Sequence, residues 1–318
     1  MNTERSNIIQ HFNCYSMGTR FDFLTYGLDE GFFLSAKTFI LNELERIEQK
    51  FSRNDEKSEI YKINTLAATE IVKTDFETVS LLELCKDYYD KTNKLFDITV
   101  GKFTHTTLKT NPTEENQNRS TPISEVDNLE FSSSIGADKI KIDMQDYTVR
   151  FLNPTLSIDL GGIGKGYAME KIKDYCKANS ITNALISFGN SSITTLGKHP
   201  HGDFWPIGIQ HAFSNGSPIY TLKLNDGSMS TSGNTSNNRI KFGNTGHIIN
   251  PHTGEFQNDL KTITVISDSS IDAEVLSTSL FIAGDLDRAE IISIFCPLEA
   301  IAISYNQINE SKIINLIH

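Results

Sequence analysis

Cysteine is scarce in this sequence, and its spacing gives no sign of a cysteine-based metal site. The four cysteines, Cys14, Cys85, Cys176 and Cys296, are far apart and form no pair with metal-ligand spacing. Cys85 and Cys176 fall in helical patterns beside apolar residues. We therefore expect buried free thiols in a reducing compartment.

Long apolar runs are also missing. The first twenty residues contain no apolar stretch long enough for a signal peptide and no lipobox, and no later stretch is long enough to span a bilayer. These absences predict a cytoplasmic protein without a membrane span.

Positive charge is in deficit, which argues against two classes of partner. Lys and Arg number 29 against 40 Asp and Glu, giving a formal net charge of −11 and a sequence pI of about 5.2. Such a surface repels nucleic-acid backbones and anionic lipids, so we expect neither as a partner. Any chemistry on phosphate groups must then depend on local devices such as a metal ion, a lysine or backbone amides.

The chain nevertheless has enough apolar mass for a large core. It has 318 residues, of which 38% are hydrophobic, and no linker rich in Pro, Gly or Ser divides it. We expect one domain over residues 1–318. Residues 106–134 are strongly polar and predict a solvated surface insertion without chemistry of its own.

Hydrophobic periodicity predicts helices and strands that favour an α+β fold, with mixed sheets and flanking helices. Consecutive strand patterns between residues 205 and 224 argue against a strict βαβ repeat. The predicted strands are 20–26, 139–142, 184–188, 205–210, 219–224, 262–266 and 300–304, and the predicted helices are 33–51, 78–91, 166–178, 273–283 and 286–295.

A glycine cluster follows one of the strand-like segments. Residues 157–167 (SIDLGGIGKGY) place Asp159 before the glycines and Lys165 among them, with a helical pattern beyond. Glycines allow a ligand to approach the backbone, and a helix N-terminus favours anions. A P-loop is excluded because Gly166 follows Lys165, and a dinucleotide fingerprint is excluded because Tyr167 stands where its last glycine belongs. A tight structural turn remains the alternative.

A second segment, residues 271–278, offers oxygen ligands on one side of a helix. Glu274 and Thr278 are four positions apart, and Ser277 is three from Glu274. One carboxylate with two hydroxyls suits Mg²⁺, which retains waters and takes few protein ligands. Asp272, two positions from Glu274, is expected on another face. The alternative is an ordinary first turn in which Glu274 complements the helix dipole and the hydroxyls pack.

Two further segments contain small or polar residues. Residues 246–254 (GHIINPHTG) form a turn around Pro251 and Gly254, with His247 beside an apolar pair. A lone histidine of this kind is commonly a satisfied structural residue. Residues 230–233 (STSG) are expected to form a small-residue turn.

These segments occur in one order with three others: residues 17–19 (MGT), residues 51–64 beginning FSRNDEKSEI, and residues 95–101 (LFDITVG). The combination resembles the FAD:protein FMN transferase family, once described as thiamine-biosynthesis lipoproteins. The similarity runs from about residue 17 to residue 284. Each motif is weak alone, but their number and order are specific.

The resemblance implies an α+β fold of one main domain with FAD held in a cleft. Members of the family transfer the FMN half of FAD to a Thr or Ser hydroxyl of an acceptor protein and release AMP, and some instead hydrolyse FAD to FMN and AMP. The implied cofactors are Mg²⁺ and FAD, the latter as substrate.

The resemblance also implies roles for individual residues. It assigns FAD contacts to Met17, Asn54, Phe96, Asp97, Ile98, Asp159, Lys165 and Ile249. The metal ligands would be the backbone carbonyl of Gly162 and the side chains of Glu274, Ser277 and Thr278. His247 matches a histidine beside the active site, and His247, Glu274 and Lys165 are the candidate catalytic residues. The proton of the acceptor hydroxyl would go to a carboxylate or to His247.

Several positions depart from the family pattern. Glu274 stands where Asp is usual, which extends the carboxylate by about 1.5 Å, and Asn54 replaces a Tyr that would pack on FAD. Residues 189–191 (GNS) replace Gly-Gly-Asp, Lys57 replaces Asp, and Asn250 replaces Asp. Two alternatives to FMN transfer therefore stay open: FAD hydrolysis through a looser pocket, and a catalytically degenerate flavin-binding protein.

Overall fold

The computed structural model describes residues 8–101, 103, 131–212, 218–234, 247–305 and 311–317. Its strands are β1 (Ile9–Ser16), β2 (Thr19–Tyr26), β3 (Val72–Lys73), β4 (Ile140–Asp143), β5 (Thr148–Phe151), β6 (Ala184–Phe188), β7 (Ser192–Leu196), β8 (Trp205–Ile209), β9 (Tyr220–Leu224), β10 (Ser228–Gly233), β11 (Lys261–Ser267), β12 (Glu299–Tyr305) and β13 (Ser311–Asn315).

The described residues also form α-helices, several of which contact these strands. They are α1 (Glu30–Phe51), α2 (Glu59–Leu66), α3 (Phe76–Lys91), α4 (Gly164–Ala178), α5 (Ser270–Ile282) and α6 (Asp285–Phe295). Side-chain caps mark the N-termini of several helices. At α1 the side chain of Asp29 accepts from the amide of Phe32, and at α5 the side chain of Ser269 accepts from the amide of Asp272. No helix in the described ranges is long and apolar enough to cross a membrane.

One large sheet organises the molecule. Its eight strands follow the order β1-β2-β6-β7-β10-β11-β12-β13, while β3-β5-β4 and β8-β9 form smaller sheets. Every named strand pair among the described residues is antiparallel, so these sheets are not mixed in strand direction as expected. The expected α+β class with one main domain is confirmed.

Alternation along β12 shows how the sheet separates two apolar clusters. Ala300 and Ala302 pack with residues of α5 and α6, whereas Ile301 and Ile303 pack with the β8–β9 hairpin. Neighbouring strand residues point to opposite faces, so both faces of this strand are buried. Helices α1 to α4 enclose a third and larger cluster.

Most predicted elements lie close to observed ones, including residues 184–188, which coincide with β6. The expected turn at residues 230–233 is wrong, because these residues belong to β10, a central strand paired with β7 and β11. Glycine is depleted in strands, but the pairing of all four residues with β11, and of Ser230 with β7, overrides that preference. The sequence-based elements also omitted β1, β3, β5, β7, β13 and α2.

Two other expectations concern the cysteines and the polar insertion. Cys85 and Cys176 are buried as expected, and burial raises the pKa of both thiols. The expectation is wrong for Cys296, which is exposed, and for Cys14, which is half-buried. Residues 106–130 of the predicted insertion lie outside the described residues, and residues 131–134 form a helical turn.

Candidate active site

Three of the motifs meet at one short extended segment. The amide of Asp159 donates to the carbonyl of Ile98 at 2.8 Å. The side chain of Asn64 brackets Ile158, accepting from its amide at 2.7 Å and donating to its carbonyl at 2.9 Å. Residues 51–64, 95–101 and 157–167 are therefore joined by backbone hydrogen-bonding groups.

Asp159 is held by two partners at this junction. Its Oδ1 accepts from the amide of Gly161 at 2.9 Å, and its Oδ2 lies 3.0 Å from a guanidinium nitrogen of Arg53. A Cβ added to Gly101 would lie 2.2 Å from the Cβ of Asp159, so only glycine fits there. Arg53 lies within a segment that the resemblance includes, but sequence reasoning gave it no role.

The glycine turn continues into helix α4. Gly162 faces the ring of Phe96, since a Cβ on Gly162 would lie 3.5 Å from that ring. Helix α4 starts at Gly164 with Ile163 as its N-cap, and no side chain caps this end. The turn therefore presents backbone groups and a helix N-terminus next to two predicted FAD contacts.

Helices α4 and α5 touch closely at Gly166. A Cβ on Gly166 would lie 2.7 Å from the carbonyl oxygen of Ser270 and 3.0 Å from Cγ of Glu274. The hydroxyl of Ser270 donates to the carbonyl of Gly166 at 2.7 Å. The close packing of the two helices at Gly166 places the neighbouring Lys165 beside helix α5.

Glu274 is a buried carboxylate with a cation and two hydroxyls around it. The residue is 4% exposed. Its Oε2 accepts from the ammonium of Lys165 at 2.8 Å. Its Oε1 accepts from Ser230 at 2.9 Å and also from Ser192. A buried charge is costly without hydrogen-bond partners, and both carboxylate oxygens of Glu274 have such partners.

Ser277 and Thr278 lie on the same side of α5 as Glu274. The hydroxyl of Ser232 lies 2.8 Å from that of Ser277 and 2.9 Å from that of Thr278. Ser277 also donates to Ser230 at 3.2 Å. The predicted shared face is confirmed, and Asp272 points elsewhere, where its carboxylate accepts from the hydroxyl of Tyr88.

The serines of β7 and β10 were missed as site residues. Ser192, Ser230 and Ser232 lie opposite α5 because β7 pairs with β10 and both pack beneath the helix. Ser228, Ser230 and Ser232 repeat every second residue, which is the period of one face of a strand, and this signal could have found the serines of β10. Ser192 has no comparable signal in the sequence. Strand register decides which hydroxyls face the carboxylate.

The segment around Met17 is held by a helix. Met17 has a φ of 50° in the β1–β2 turn, and its amide donates to Oε2 of Glu48 at 3.1 Å. The hydroxyl of Ser16 donates to the same oxygen at 3.0 Å. Asn54, another predicted flavin contact, is exposed. Their contacts with FAD stay predictions.

Asp97 is buried beside a polar cavity. Its Oδ1 accepts from the amide of Thr99 at 2.8 Å and from the hydroxyl of Thr99 at 2.7 Å. Burial raises the pKa of Asp97 to about 6. The cavity, of about 270 Å³, lies between Asp97 and the turn at Pro251 and His252. Two of the family-like segments, residues 95–101 and 246–254, thus border one space.

Residues 247–254 adopt the expected turn. The amide of Gly254 donates to the carbonyl of Asn250 at 2.8 Å, and Gly254 has a φ of 73°. Ile249 is 4% exposed and forms an isolated bridge with Phe256. His247 is half-buried, and its catalytic role stays a prediction. Gly246 lies outside the described residues.

The donor set favours one kind of metal. Across the described part of the chain, no group of three or more His, Cys, Asp or Glu residues is arranged to hold a metal ion. A transition-metal site of that composition is therefore not found there. One carboxylate with nearby hydroxyls is a hard oxygen set of the kind compatible with Mg²⁺.

Comparison with known proteins identifies the family. The sequence profile described as the ApbE family matches residues 17–302. The chain belongs to the ApbE family. The family membership expected from the motifs is confirmed.

Two relatives illustrate the range of similarity, and both are named FAD:protein FMN transferase. The protein of Klebsiella pneumoniae (strain 342) is 31% identical over 146 residues, covering 45% of this chain and 44% of that protein. The protein of Buchnera aphidicola subsp. Baizongia pistaciae is 28% identical over 274 residues, covering 85% and 79%. The matches to Klebsiella and to a Haemophilus influenzae relative span less than half of those proteins, 44% and 46%.

Solved structures share the fold. Flavin transferase ApbE from Vibrio cholerae superposes with a TM-score of 0.77 at 21% identity, covering 97% of each chain. Flavinyl transferase ApbE from Pseudomonas stutzeri, in its apo form, gives 0.78 at 18% identity, covering 97% of this chain and 94% of that one. The ApbE-family architecture is therefore shown, independently of the site residues.

Proposed function

We propose that this chain transfers FMN from FAD to a Thr or Ser hydroxyl of an acceptor protein and releases AMP, in a reaction that depends on Mg²⁺. The principal support is the ApbE-family match over residues 17–302, together with relatives named FAD:protein FMN transferase. The buried Glu274, with hydroxyls on one side and Lys165 on the other, supports the metal dependence.

The residues that would hold Mg²⁺ are the carbonyl of Gly162 and the side chains of Glu274, Ser277 and Thr278. Glu274 already binds one cationic group, the ammonium of Lys165, and the two hydroxyls lie on the same helix face. When bound, Mg²⁺ neutralises charge on the pyrophosphate oxygens. The longer Glu274 side chain is accommodated here because Ser192 and Ser230 fix its Oε1.

Lys165 and the start of α4 would stabilise the phosphates. Lys165 is the second residue of α4, beside the glycine turn, so its ammonium and the helix N-terminus both favour negative charge at one place. Arg53 adds a guanidinium next to Asp159. These local positive groups offset the repulsion that the net charge of −11 exerts on a dinucleotide.

The flavin and the acceptor would meet between the glycine turn and the surrounding family-like segments. Met17, Asn54, Phe96, Asp97, Ile98, Asp159, Lys165 and Ile249 are the proposed FAD contacts. A carboxylate or His247 would accept the proton of the Thr or Ser hydroxyl as that oxygen attacks the phosphorus next to the flavin ribityl chain, with AMP as the leaving group.

Mass spectrometry of FAD turnover tests this function. The full chain is incubated with FAD, Mg²⁺ and candidate acceptor proteins, and we expect an FMN-sized mass increase on Thr or Ser together with AMP. The proposal fails if plausible acceptors gain no adduct. A cytoplasmic location remains a prediction, to be checked by fractionation.

Exposed Asn54 favours a second activity, hydrolysis of FAD to FMN and AMP. Without an aromatic ring over the cofactor, water has easier access to the phosphorus. Rapid AMP release in FAD and Mg²⁺ without an acceptor would favour this activity. A degenerate flavin-binding protein, motivated by Glu274 and residues 189–191, would instead bind FAD tightly and release no AMP in response to Mg²⁺.

A further inference from the structure

The two oxygens of Glu274 are in different situations. Oε1 accepts from Ser192 and from Ser230, two hydroxyls fixed on the paired central strands β7 and β10. Oε2 accepts from Lys165 alone among the hydrogen bonds of the described residues. A carboxylate oxygen offers about two lone-pair sites, so Oε1 has little capacity left, and Oε2 is the oxygen available to a metal.

Lys165 and a metal ion would compete for this oxygen. Glu274 is 4% exposed, so little water screens charges at Oε2. An ammonium at 2.8 Å from Oε2 would lie only a few ångströms from a divalent ion on the same atom. Like charges at such separations repel strongly where water is excluded.

Lys165 is able to leave because its surroundings differ from those of the carboxylate. Its side chain is 23% exposed, against 4% for Glu274. It is attached to the first turn of α4, beside the glycine turn, and a lysine stem has several rotatable bonds. The serine contacts to Oε1 do not depend on it.

We propose that Lys165 is an exchangeable counter-ion of Glu274, whose ammonium holds Oε2 in the metal-free protein and leaves that oxygen when Mg²⁺ binds. The inference rests on the proposed function, since it assumes that Glu274 is a metal ligand. It deepens that function by linking metal binding to release of the ammonium, which is then free to approach a phosphate group. Metal loading and neutralisation of the substrate are thereby coupled through one side chain.

Calorimetric titration of the FAD-free full chain with Mg²⁺ tests the exchange. Lys165→Met removes the competing charge, so we expect at least about fivefold tighter Mg²⁺ binding than in the wild type, the lower end of typical coupling between two binding events. Lys165→Arg keeps a cation and should give no tightening. Lys173→Met is the matched control, because Lys173 lies on the same helix and pairs with Glu170 at 2.5 Å. Equal or weaker binding by Lys165→Met would overturn the exchange.

A measurement on the wild type covers the case in which Lys165→Met fails to fold. Modification by an amine-reactive reagent, followed by mass spectrometry, should increase at Lys165 by at least about threefold on adding Mg²⁺. Modification of the buried Lys173 should not change. Unchanged or reduced modification of Lys165 would contradict the proposal.

The transfer assay separates the two levels of inference. If FMN transfer depends on Mg²⁺ but Lys165→Met does not change the Mg²⁺ affinity, the proposed exchange is wrong and the proposed function stands. If the wild type neither binds Mg²⁺ nor transfers FMN, both the exchange and the proposed function are wrong.

Discussion

Gly101 lies against the side chain of Asp159, so closely that a Cβ on Gly101 would be 2.2 Å from the Cβ of Asp159 and 2.4 Å from its Oδ2. The contact joins the segment 95–101 to the glycine turn. It also fixes the position of a carboxylate that pairs with Arg53.

Gly101→Ala should therefore displace Asp159 and disturb the proposed FAD cleft. We expect a loss of about 1–3 kcal/mol in the free energy of unfolding, as for overpacked sites, and weaker FAD binding. Denaturant unfolding and FAD titration measure the two effects. Gly284→Ala is the control, since a Cβ there meets nothing within 4 Å. Equal unfolding free energies and equal FAD affinities in the two variants would show that the contact contributes to neither stability nor FAD binding.

Glu274→Ala should reduce Mg²⁺-dependent turnover by at least about a hundredfold, because it removes the only carboxylate of the proposed metal site. Glu274→Asp, the residue usual in the family, should retain activity. Asp272→Asn is the matched control, because Asp272 lies on another face of α5 and contacts Tyr88. AMP release over a range of Mg²⁺ concentrations is the measurement. Full activity of Glu274→Ala would show that the metal assignment is wrong.

Arg53→Gln should weaken FAD binding by about tenfold, the loss expected for a charge-assisted contact. Its guanidinium lies 3.0 Å from Asp159, and its removal leaves that carboxylate to repel phosphate. Arg20→Gln is a suitable control because Arg20 forms an exposed ion pair with Asp22 on β2. FAD affinity is measured by fluorescence titration. An equal loss of FAD affinity in both variants would show that the net charge of the protein matters and the position of Arg53 does not.

Asp97→Asn should change how stability depends on pH. Burial raises the pKa of Asp97 from 3.8 to about 6, so the folded protein binds this proton more tightly than the unfolded chain. The contribution of Asp97 to stability is thus present below about pH 4 and is lost as pH rises to about 6, a difference of at most about 3 kcal/mol.

An asparagine at residue 97 can still accept both hydrogen bonds from Thr99, since both reach Oδ1. The variant should match the wild type near pH 4 and be more stable near pH 8, as measured by denaturant unfolding across this range. Asp143→Asn provides the contrast, because amides of Gln145 and Asp146 lower the pKa of the exposed Asp143. A wild-type advantage at pH 8 would contradict the assigned cause.

Asn54→Tyr should restore an aromatic surface for FAD. We expect FAD to dissociate about tenfold more slowly, in the range of an aromatic stacking contribution, and AMP release without an acceptor to decline. Stopped-flow fluorescence and AMP quantification measure these changes, with Asn54→Ala as the control that adds no ring. Unchanged dissociation would place residue 54 away from the flavin.

The sequence by itself determined the family, the α+β class and the helix face shared by Glu274, Ser277 and Thr278. These depend on motif order and on the 3.6-residue helical period, both of which can be read along the chain without its three-dimensional contacts. The same period correctly separated Asp272 from Glu274.

Only the tertiary structure decided which groups surround Glu274. Residues 230–233 have the composition of a turn, yet they form part of a central strand because β11 pairs with all four of them and β7 pairs with Ser230. Ser192, Ser230 and Lys165 meet the carboxylate from three separate elements, and Arg53 reaches Asp159 across 106 positions of sequence. Such contacts follow from strand register and helix packing, which no local pattern encodes.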